Sequence, residues 1–356
     1  MPQPEPRRYI VIGAGAIGGT VGGALARSGA EVVLVARGAH ARVLAERGLV
    51  LRTPDGVFEI PVESAADPAE VRLNRRDVLV FATKTHQLDS ALGDWADRPV
   101  YDGDVTVGTA GELLPVLTAL NGVVAEEKAL RLFARVFGVC VWMPAAHVKP
   151  GEVIVESWPV AGQFHIARWP AALTTEQDRT LLDDIAAVWT SAGVVVTLPP
   201  DVAPWKYNKL LSNLSNAVIA LTGSAESSAV ASAVTDEGAE ILTAAGIAYV
   251  PFAESTAARA AGPTERPVPG TGEVISNSTW QSLARNSGSV ETDFLNGEIV
   301  RIAHRCGGGA PLNAGLARLA REAARAGRGP GEFSEAELAR LLGLPGDDSA
   351  DRQYFD

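Results

Sequence analysis

Cysteine is scarce: Cys140 and Cys306 are the only two in 356 residues, far apart and in no metal-ligand spacing. A disulfide framework and a zinc site are thereby excluded as organising devices. Long apolar runs are missing as well. Although 47% of the residues are hydrophobic, glycine, proline and charge interrupt every stretch before the roughly 18 residues that a membrane helix requires. Positive charge is also short, with 31 Lys and Arg against 42 Asp and Glu and a formal net charge of −11. That balance argues against a general affinity for nucleic acid or an acidic membrane, and leaves room only for a local basic pocket around a small anion. There is no internal repeat and no low-complexity tract. What remains is a soluble chain of one or two domains, long enough to bury a substantial core, for which a reducing cytoplasm is the simplest home. The acidic end "GDDSADRQYFD", residues 346–356, reads as a frayed tail.

What is present begins at "VIGAGAIGGTVGGAL", residues 11–25, six glycines and an apolar run directly behind Arg7 and Arg8. Basic residues followed by an apolar stretch imitate a secretory or twin-arginine signal ending near Ala24 or Ala26. A nucleotide site fits better. Tyr9 to Ile12 reads as a buried strand, Gly13, Gly15 and Gly18 form G-x-G-x-x-G, Ile17 to Arg27 reads as a helix, and a second strand runs from Glu31 to Ala36. A strand, glycine turn, helix and strand in that order is the context in which the motif binds a dinucleotide. Gly13 permits the tight turn, Gly15 lets backbone approach a pyrophosphate, and Gly18 lets the helix sit close to the sheet. Ala16 and Ile17 complete the turn, at a helix start whose unpaired N–H groups face the anion.

The parallel α/β pattern continues. Asp55-Gly56 joins two alternating runs into a hairpin, and "DVLVFATK", residues 77–84, is an apolar strand ending on the polar turn "KTHQ". Residues 93–112 show no convincing period and read as an extended loop. "LPVLTALNG" is a strand ending at Asn121-Gly122, and "AEEKALRLFA" a helix. The stretch "VCVWMPAAHVKPGEVIVESWPVAGQFHIAR" alternates through short strands, read as antiparallel additions to the sheet edge. A helix over 175–191 and a strand over 194–198 close this half. At "PPDVAPW", residues 199–205, the strand signals stop. Beyond it the segments 206–222, 227–245, 253–261, 276–285, 290–305 and 312–326 read as helices, so the prolines mark a domain boundary.

The end of the second strand carries Ala36 and Arg37 with no acidic residue. In dinucleotide folds an acid there holds the ribose hydroxyls of NAD, whereas an arginine accommodates the extra phosphate of NADP, so NADP(H) is favoured. Lys84 ends a parallel strand on the ligand-binding side of such sheets. The second informative stretch is "WKYNKLLSNLSNAVIALTG", residues 205–223. On one helix Lys206, Lys209, Asn213 and Asn216 share a face, with Leu210, Leu211, Leu214 and Val218 on the other. A solvated face would produce such a stripe, but two interior asparagines call for a reason. Further on, Ser278, Glu291 and Asn296 recur within residues 277–302, with Ser287 or Ser289 as a helix cap ahead of Glu291.

Together these places resemble the ketopantoate reductase family, whose members reduce 2-dehydropantoate to pantoate with NADPH. The motifs are "IGAGAIGG", "ATKTHQL", "LTALNG", "KLLSNLSNAV" and "VETDFLNGEIVR", in the family's order over most of the chain. The chain departs from the pattern at Leu120, where the family carries glutamine. The resemblance implies an α/β Rossmann-type amino-terminal domain plus an all-α carboxy-terminal domain, with the active site in the cleft between them. The boundaries it suggests are 1–199 for the NADP-binding domain, 200–345 for a helical substrate and dimerisation domain, and 346–356 for the tail.

It also implies roles. Lys209 matches the catalytic lysine, with Lys206 as its rival, and Glu291 the acid that orients substrate. Asn121, Asn213, Asn216 and Ser278 match substrate contacts. Gly13, Gly15, Ala16, Ile17, Gly18, Arg37, Lys84, Gln87 and Asn121 match cofactor contacts. An ammonium aimed at a ketone oxygen suits reduction, because it can stabilise the developing charge and supply the proton. The expected partner is a small 2-oxo acid, with no nucleic acid and no membrane. A homodimer is compatible with the helical half, although no clean exposed apolar stripe argues for one. Two alternatives stand beside this reading: a related reductase acting on another oxo or hydroxy acid, and a dinucleotide-binding sensor that catalyses nothing.

Overall fold

The computed structural model describes residues 6–224, 228–271, 277–286 and 288–345. The expected tail and Ser287 lie outside them. By contacts the chain divides into two units, Met1–Lys206 with Val250–Val274, and Tyr207–Tyr249 with Ile275–Asp356.

In the first unit β1 (Arg8–Ile12), α1 (Ala16–Arg27), β2 (Glu31–Val35) and α2 (Gly38–Arg47) follow one another directly. The hairpin β3 (Leu49–Thr53) and β4 (Gly56–Ile60) turns at Asp55-Gly56 as expected, and leads to β5 (Glu63–Ala65). After β6 (Leu73–Asn74) come β7 (Asp77–Phe81), α3 (Leu88–Ala96), β8 (Pro99–Asp102), β9 (Val105–Thr109) and α4 (Ala110–Leu113). Then follow β10 (Pro115–Thr118), α5 (Ala125–Ala129), β11 (Arg135–Trp142), β12 (Ala145–Lys149), β13 (Glu152–Val155), β14 (Gly162–Trp169), α6 (Glu176–Ser191) and β15 (Val194–Thr197). The principal sheet has eight strands in the order β15-β14-β11-β10-β7-β1-β2-β5. Six neighbours from β5 to β11 are parallel, and β14 runs antiparallel to β11.

The continuous apolar strands of the sequence are explained by burial on both faces. Tyr9, Val11, Leu34, Val78, Val80 and Leu117 face one core with α1 and α6, whereas Ile10, Ile12, Val33, Leu79, Phe81 and Val116 face another with α3 and α5. From β1 the chain proceeds outward to β2 and β5, then crosses back to β7, β10 and β11. The order therefore reverses at β1, and ligands of open α/β sheets bind at such a switch point, beyond the carboxyl ends of the strands.

Two expectations are corrected here. Residues 93–112 are not an extended loop: they finish α3, form the β8–β9 hairpin around Gly103 (φ +58°), and enter α4 through a Thr109–Glu112 capping box. The strands β12 and β13 are antiparallel to each other but do not extend the principal sheet, since β13 pairs in parallel with β3 in a separate four-stranded sheet. Local alternation specifies a pleated ribbon, whereas the partner strand is set by tertiary packing.

No strand occurs among the described residues beyond β15. The helix α7 (Ala203–Leu214) crosses the boundary of the two units, and α8 (Asn216–Thr222) begins after a break at Ser215. The remaining helices are α9 (Ala229–Ala244), α10 (Phe252–Arg259), α11 (Ser278–Ala284), α12 (Asn296–Arg305), α13 (Pro311–Arg325) and α14 (Glu335–Leu341). The last was not anticipated, although Ser334 and Glu337 form a capping box in front of it. Residues 290–305 are not one helix. A 3₁₀ turn, Glu291–Phe294, precedes α12, and Leu295 (φ −112°, ψ −89°) separates them.

Candidate active site

The glycine turn lies at the carboxyl end of β1, where the strand order reverses. Gly13 (φ +99°) occupies a backbone region open to glycine, and a Cβ there would stand 2.9 Å from the Ala82 carbonyl and the Thr83 nitrogen. The loops after β1 and β7 therefore touch. Gly18 is equally constrained, since a Cβ would fall 2.1 Å from the Gly13 oxygen. Gly15 differs: a Cβ on it would meet nothing within 4 Å. It is the N-cap of α1 and has no side chain to occupy the N–H groups of Ala16, Ile17 and Gly18. Backbone donors bordering open space at a helix start suit the pyrophosphate of a dinucleotide. The inner side of the turn is committed, with the Gly13 and Ala14 N–H groups donating to the Val35 carbonyl at 3.0 and 3.2 Å.

Arg37 follows β2 as the N-cap of α2 and is exposed, forming a surface pair with Asp94 at 2.8 Å. Lys84 is half-buried beyond the end of β7, at the start of the 3₁₀ turn Thr85–Gln87, and Gln87 ends that turn exposed. Asn121 is half-buried beyond β10, whose end is tied to β7 by the Ala119 N–H donating to the Phe81 carbonyl at 2.8 Å. The first unit thus gathers the glycine turn and the loops after β2, β7 and β10 at one end of the sheet.

The lysine and asparagine stripe is not a solvated face. Lys206 and Asn213 are buried, Lys209 and Asn216 half-buried, and Leu210, Leu211, Leu214 and Val218 fully buried. Nor is it one helix, because Asn216 starts α8. The amide of Asn216 still reaches that of Asn213, its Nδ2 donating to Oδ1 at 3.5 Å. Ser278 opens α11, which packs against α8 and is capped by Asn277. Glu291 is buried as the first residue of its 3₁₀ turn, whose N-cap position is held by Val290 rather than by Ser289 as expected. Asn296 is structural: its Nδ2 donates to the Leu214 carbonyl at 3.1 Å and to Asn313 Oδ1 at 2.9 Å.

Two participants escaped the sequence reading. Glu126, wholly buried, forms an ion pair with Lys206 and accepts the Thr118 hydroxyl at 2.6 Å. Nothing local separates it from exposed Glu127 beside it. His40, on the first turn of α2, bonds to the glycine turn itself; no motif contains it.

Among the described residues no group of His, Cys, Asp or Glu could hold a metal ion, and no helix is long and apolar enough to cross a membrane. A reversing parallel sheet with a glycine turn at its switch point, followed by a helical unit with half-buried Lys209 and buried asparagine and glutamate, defines a nicotinamide-dinucleotide-dependent oxidoreductase. The family follows from comparison. A model described as ketopantoate reductase PanE/ApbA matches residues 9–170, and one described as ketopantoate reductase PanE/ApbA C terminal matches residues 201–324. The chain belongs to the ketopantoate reductase PanE/ApbA family, and so to the reductases of 2-oxo acids.

Among its relatives, the 2-dehydropantoate 2-reductase of Pyrococcus horikoshii is 25% identical over 317 residues, 86% of this chain and 94% of that protein. The crystal structure of a PanE/ApbA family ketopantoate reductase from Ralstonia eutropha JMP134 superposes with a TM-score of 0.69 at 27% identity, covering 90% of this chain and 99% of that one. The ternary structure of D-mandelate dehydrogenase with NADH and anilino(oxo)acetate has a TM-score of 0.71 at 20% identity, over 90% and 99% of the two chains, and shares the fold.

Proposed function

We propose that this chain uses NADPH to reduce a 2-oxo acid to a 2-hydroxy acid, with 2-dehydropantoate as its substrate and Lys209 as the proton donor. The observation that carries this reading is the difference in burial between the two lysines of α7. Lys206 is buried against Glu126, so its ammonium is committed to a carboxylate. Lys209, one turn on, is half-buried and stands four residues before Asn213, on the same side of the helix.

The glycine turn would hold the cofactor, which would supply the hydride. Lys209 Nζ stabilises the charge that develops on the ketone oxygen and gives that oxygen its proton. Glu291 accepts a hydrogen bond from a substrate hydroxyl and keeps the substrate oriented. Asn121, Asn213, Asn216 and Ser278 hold carboxylate and hydroxyl groups, the positioning on which such a transfer depends. Lys84, Gln87 and Asn121 contact the cofactor. Arg37 supports NADPH over NADH because no acid stands beside it at the end of β2. Its exposed pair with Asp94 is weak, so a 2′-phosphate replaces that carboxylate at little cost. Both cysteines are free, which suits a reducing compartment.

The test is NADPH oxidation with 2-dehydropantoate and a panel of other 2-oxo acids, with NADH in parallel. Saturable turnover of 2-dehydropantoate, faster with NADPH, is expected. Turnover of another oxo acid alone would overturn the substrate, and preference for NADH would overturn the role of Arg37.

A further inference from the structure

We propose that His40 is a positioning residue for the dinucleotide turn: its imidazole fixes the Ala14–Gly15 peptide and thereby aims the Gly15 N–H at the cofactor's pyrophosphate. The inference rests on the reading that the dinucleotide lies on this turn. His40 Nε2 is 2.7 Å from the Ala14 carbonyl oxygen, and Nδ1 is 2.8 Å from the Gly151 nitrogen. A backbone N–H can only donate, so Nδ1 accepts, and the neutral ring carries its hydrogen on Nε2, which donates to Ala14. The geometry alone selects the tautomer. Burial agrees with it, holding the His40 pKa below its ordinary value against the opposing effect of the Ala14 hydrogen bond.

The consequence reaches Gly15 through peptide geometry. In a planar trans peptide the C=O and the following N–H point in opposite directions. Drawing the Ala14 carbonyl towards α2 therefore turns the Gly15 N–H away from α2. The Ala14 N–H is itself held by the Val35 carbonyl at 3.2 Å, and the Gly15 carbonyl accepts from the Gly19 N–H at 2.7 Å, so neither neighbouring peptide can swing independently.

The other end of the strut is equally specific. Gly151, in the β12–β13 turn, has φ +79°, and a Cβ on it would stand 2.2 Å from Val43 Cγ1 of α2. Only glycine lets that turn approach α2 closely enough to offer its N–H. The His147 ring, from β12, packs on the imidazole at 4.4 Å between centroids. A residue that merely filled space here would not need both ring nitrogens matched to backbone groups of two different loops. Arg37 lies three residues before His40, so one short helix would hold the turn and also carry the proposed 2′-phosphate contact.

The test is the Kd for NADPH and for NADH, followed by nicotinamide fluorescence, in the unaltered protein, His40→Leu and His40→Gln, alongside unfolding midpoints without cofactor. Losing a buried hydrogen bond that aims a binding group should weaken both cofactors by about tenfold or more. The oxo acid KM at saturating NADPH should stay the same. Glutamine retains a donor for Ala14 and should recover binding to within about threefold, a difference of well under 1 kcal/mol. Unchanged Kd in His40→Leu would overturn the proposal, as would equal weakening in both variants, since packing would then be the cause. Should His40→Leu fail to fold, imidazole ¹⁵N shifts of the unaltered protein decide: an Nε2–H tautomer perturbed by NADPH supports the role, and an Nδ1–H tautomer overturns it. Failure of the unaltered protein to bind either cofactor would sink the underlying reading instead.

Discussion

The two units bury polar groups in different ways. The α/β unit uses ion pairs: Lys206 with Glu126, Arg8 with Asp77 at 2.8 Å, and Arg135 with Asp178 at 2.7 Å. The helical unit also uses amides, with Asn313 Nδ2 donating to the Val234 carbonyl at 3.0 Å and to Glu237 at 2.9 Å, and Asn296 linking Asn313 to the end of α7. In the first unit the pyrophosphate is assigned to backbone, at a turn that depends on Gly13 and Gly18. In the second, the asparagines assigned to substrate and those that tie helices together are the same residue type, and Asn213 is buried, as Asn296 and Asn313 are. A motif of backbone is therefore easier to recognise than a motif of amides.

The sharpest way to break this comparison is at Lys206. Replacing it by methionine strands Glu126 in the core and should cost about 3–5 kcal/mol in urea unfolding. Lys206→Met/Glu126→Leu should recover most of that. A loss of turnover in the double variant, with stability restored, would make Lys206 rather than Lys209 the chemical group.

His165 extends the contrast by pH. Its ring stacks on Trp205 at 3.9 Å and meets Trp142 edge-on at 4.9 Å, and burial pushes its pKa down to about 4. The unfolded chain, near 6.5, binds the proton first on acidification. The stabilisation is therefore complete above that value and lost as pH falls towards 4, by up to about 3 kcal/mol. Unfolding curves of the unaltered protein and His165→Phe at pH 7 and 5 should diverge in this direction; parallel pH dependence would contradict it.

In the helical unit, Asn313→Ala should cost about 2 kcal/mol by leaving buried partners unmatched, without changing the KM for oxo acid. A changed KM would move Asn313 from architecture to binding. The smallest effect is expected at the surface, where Arg37→Ala should lower the preference for NADPH over NADH by about tenfold, the value of one charge-assisted hydrogen bond. An unchanged ratio of cofactor KM values would place the 2′-phosphate elsewhere.

These cases also show what the sequence could disclose. The glycine turn was legible because its steric needs exclude other residues, and the Asp55-Gly56 hairpin because its turn chemistry is local. Asp102-Gly103 carries the same signal in "VYDGDVTV", yet the short, mostly half-buried strands around it offer little apolar alternation to support it. The break at Ser215 left no mark in the spacing of Lys206, Lys209, Asn213 and Asn216, since both helices keep a similar period. Glu126 and His40 depend on partners 80 and 26 residues away, beyond any local pattern.

The central claim is that Lys209 gives the proton in an NADPH-dependent reduction, and single-turnover oxidation of bound NADPH by 2-dehydropantoate in Lys209→Ala tests it most directly. A fall of at least about a hundredfold in the rate, with NADPH affinity and the unfolding midpoint preserved, is the predicted result. A rate equal to that of the unaltered protein would contradict it.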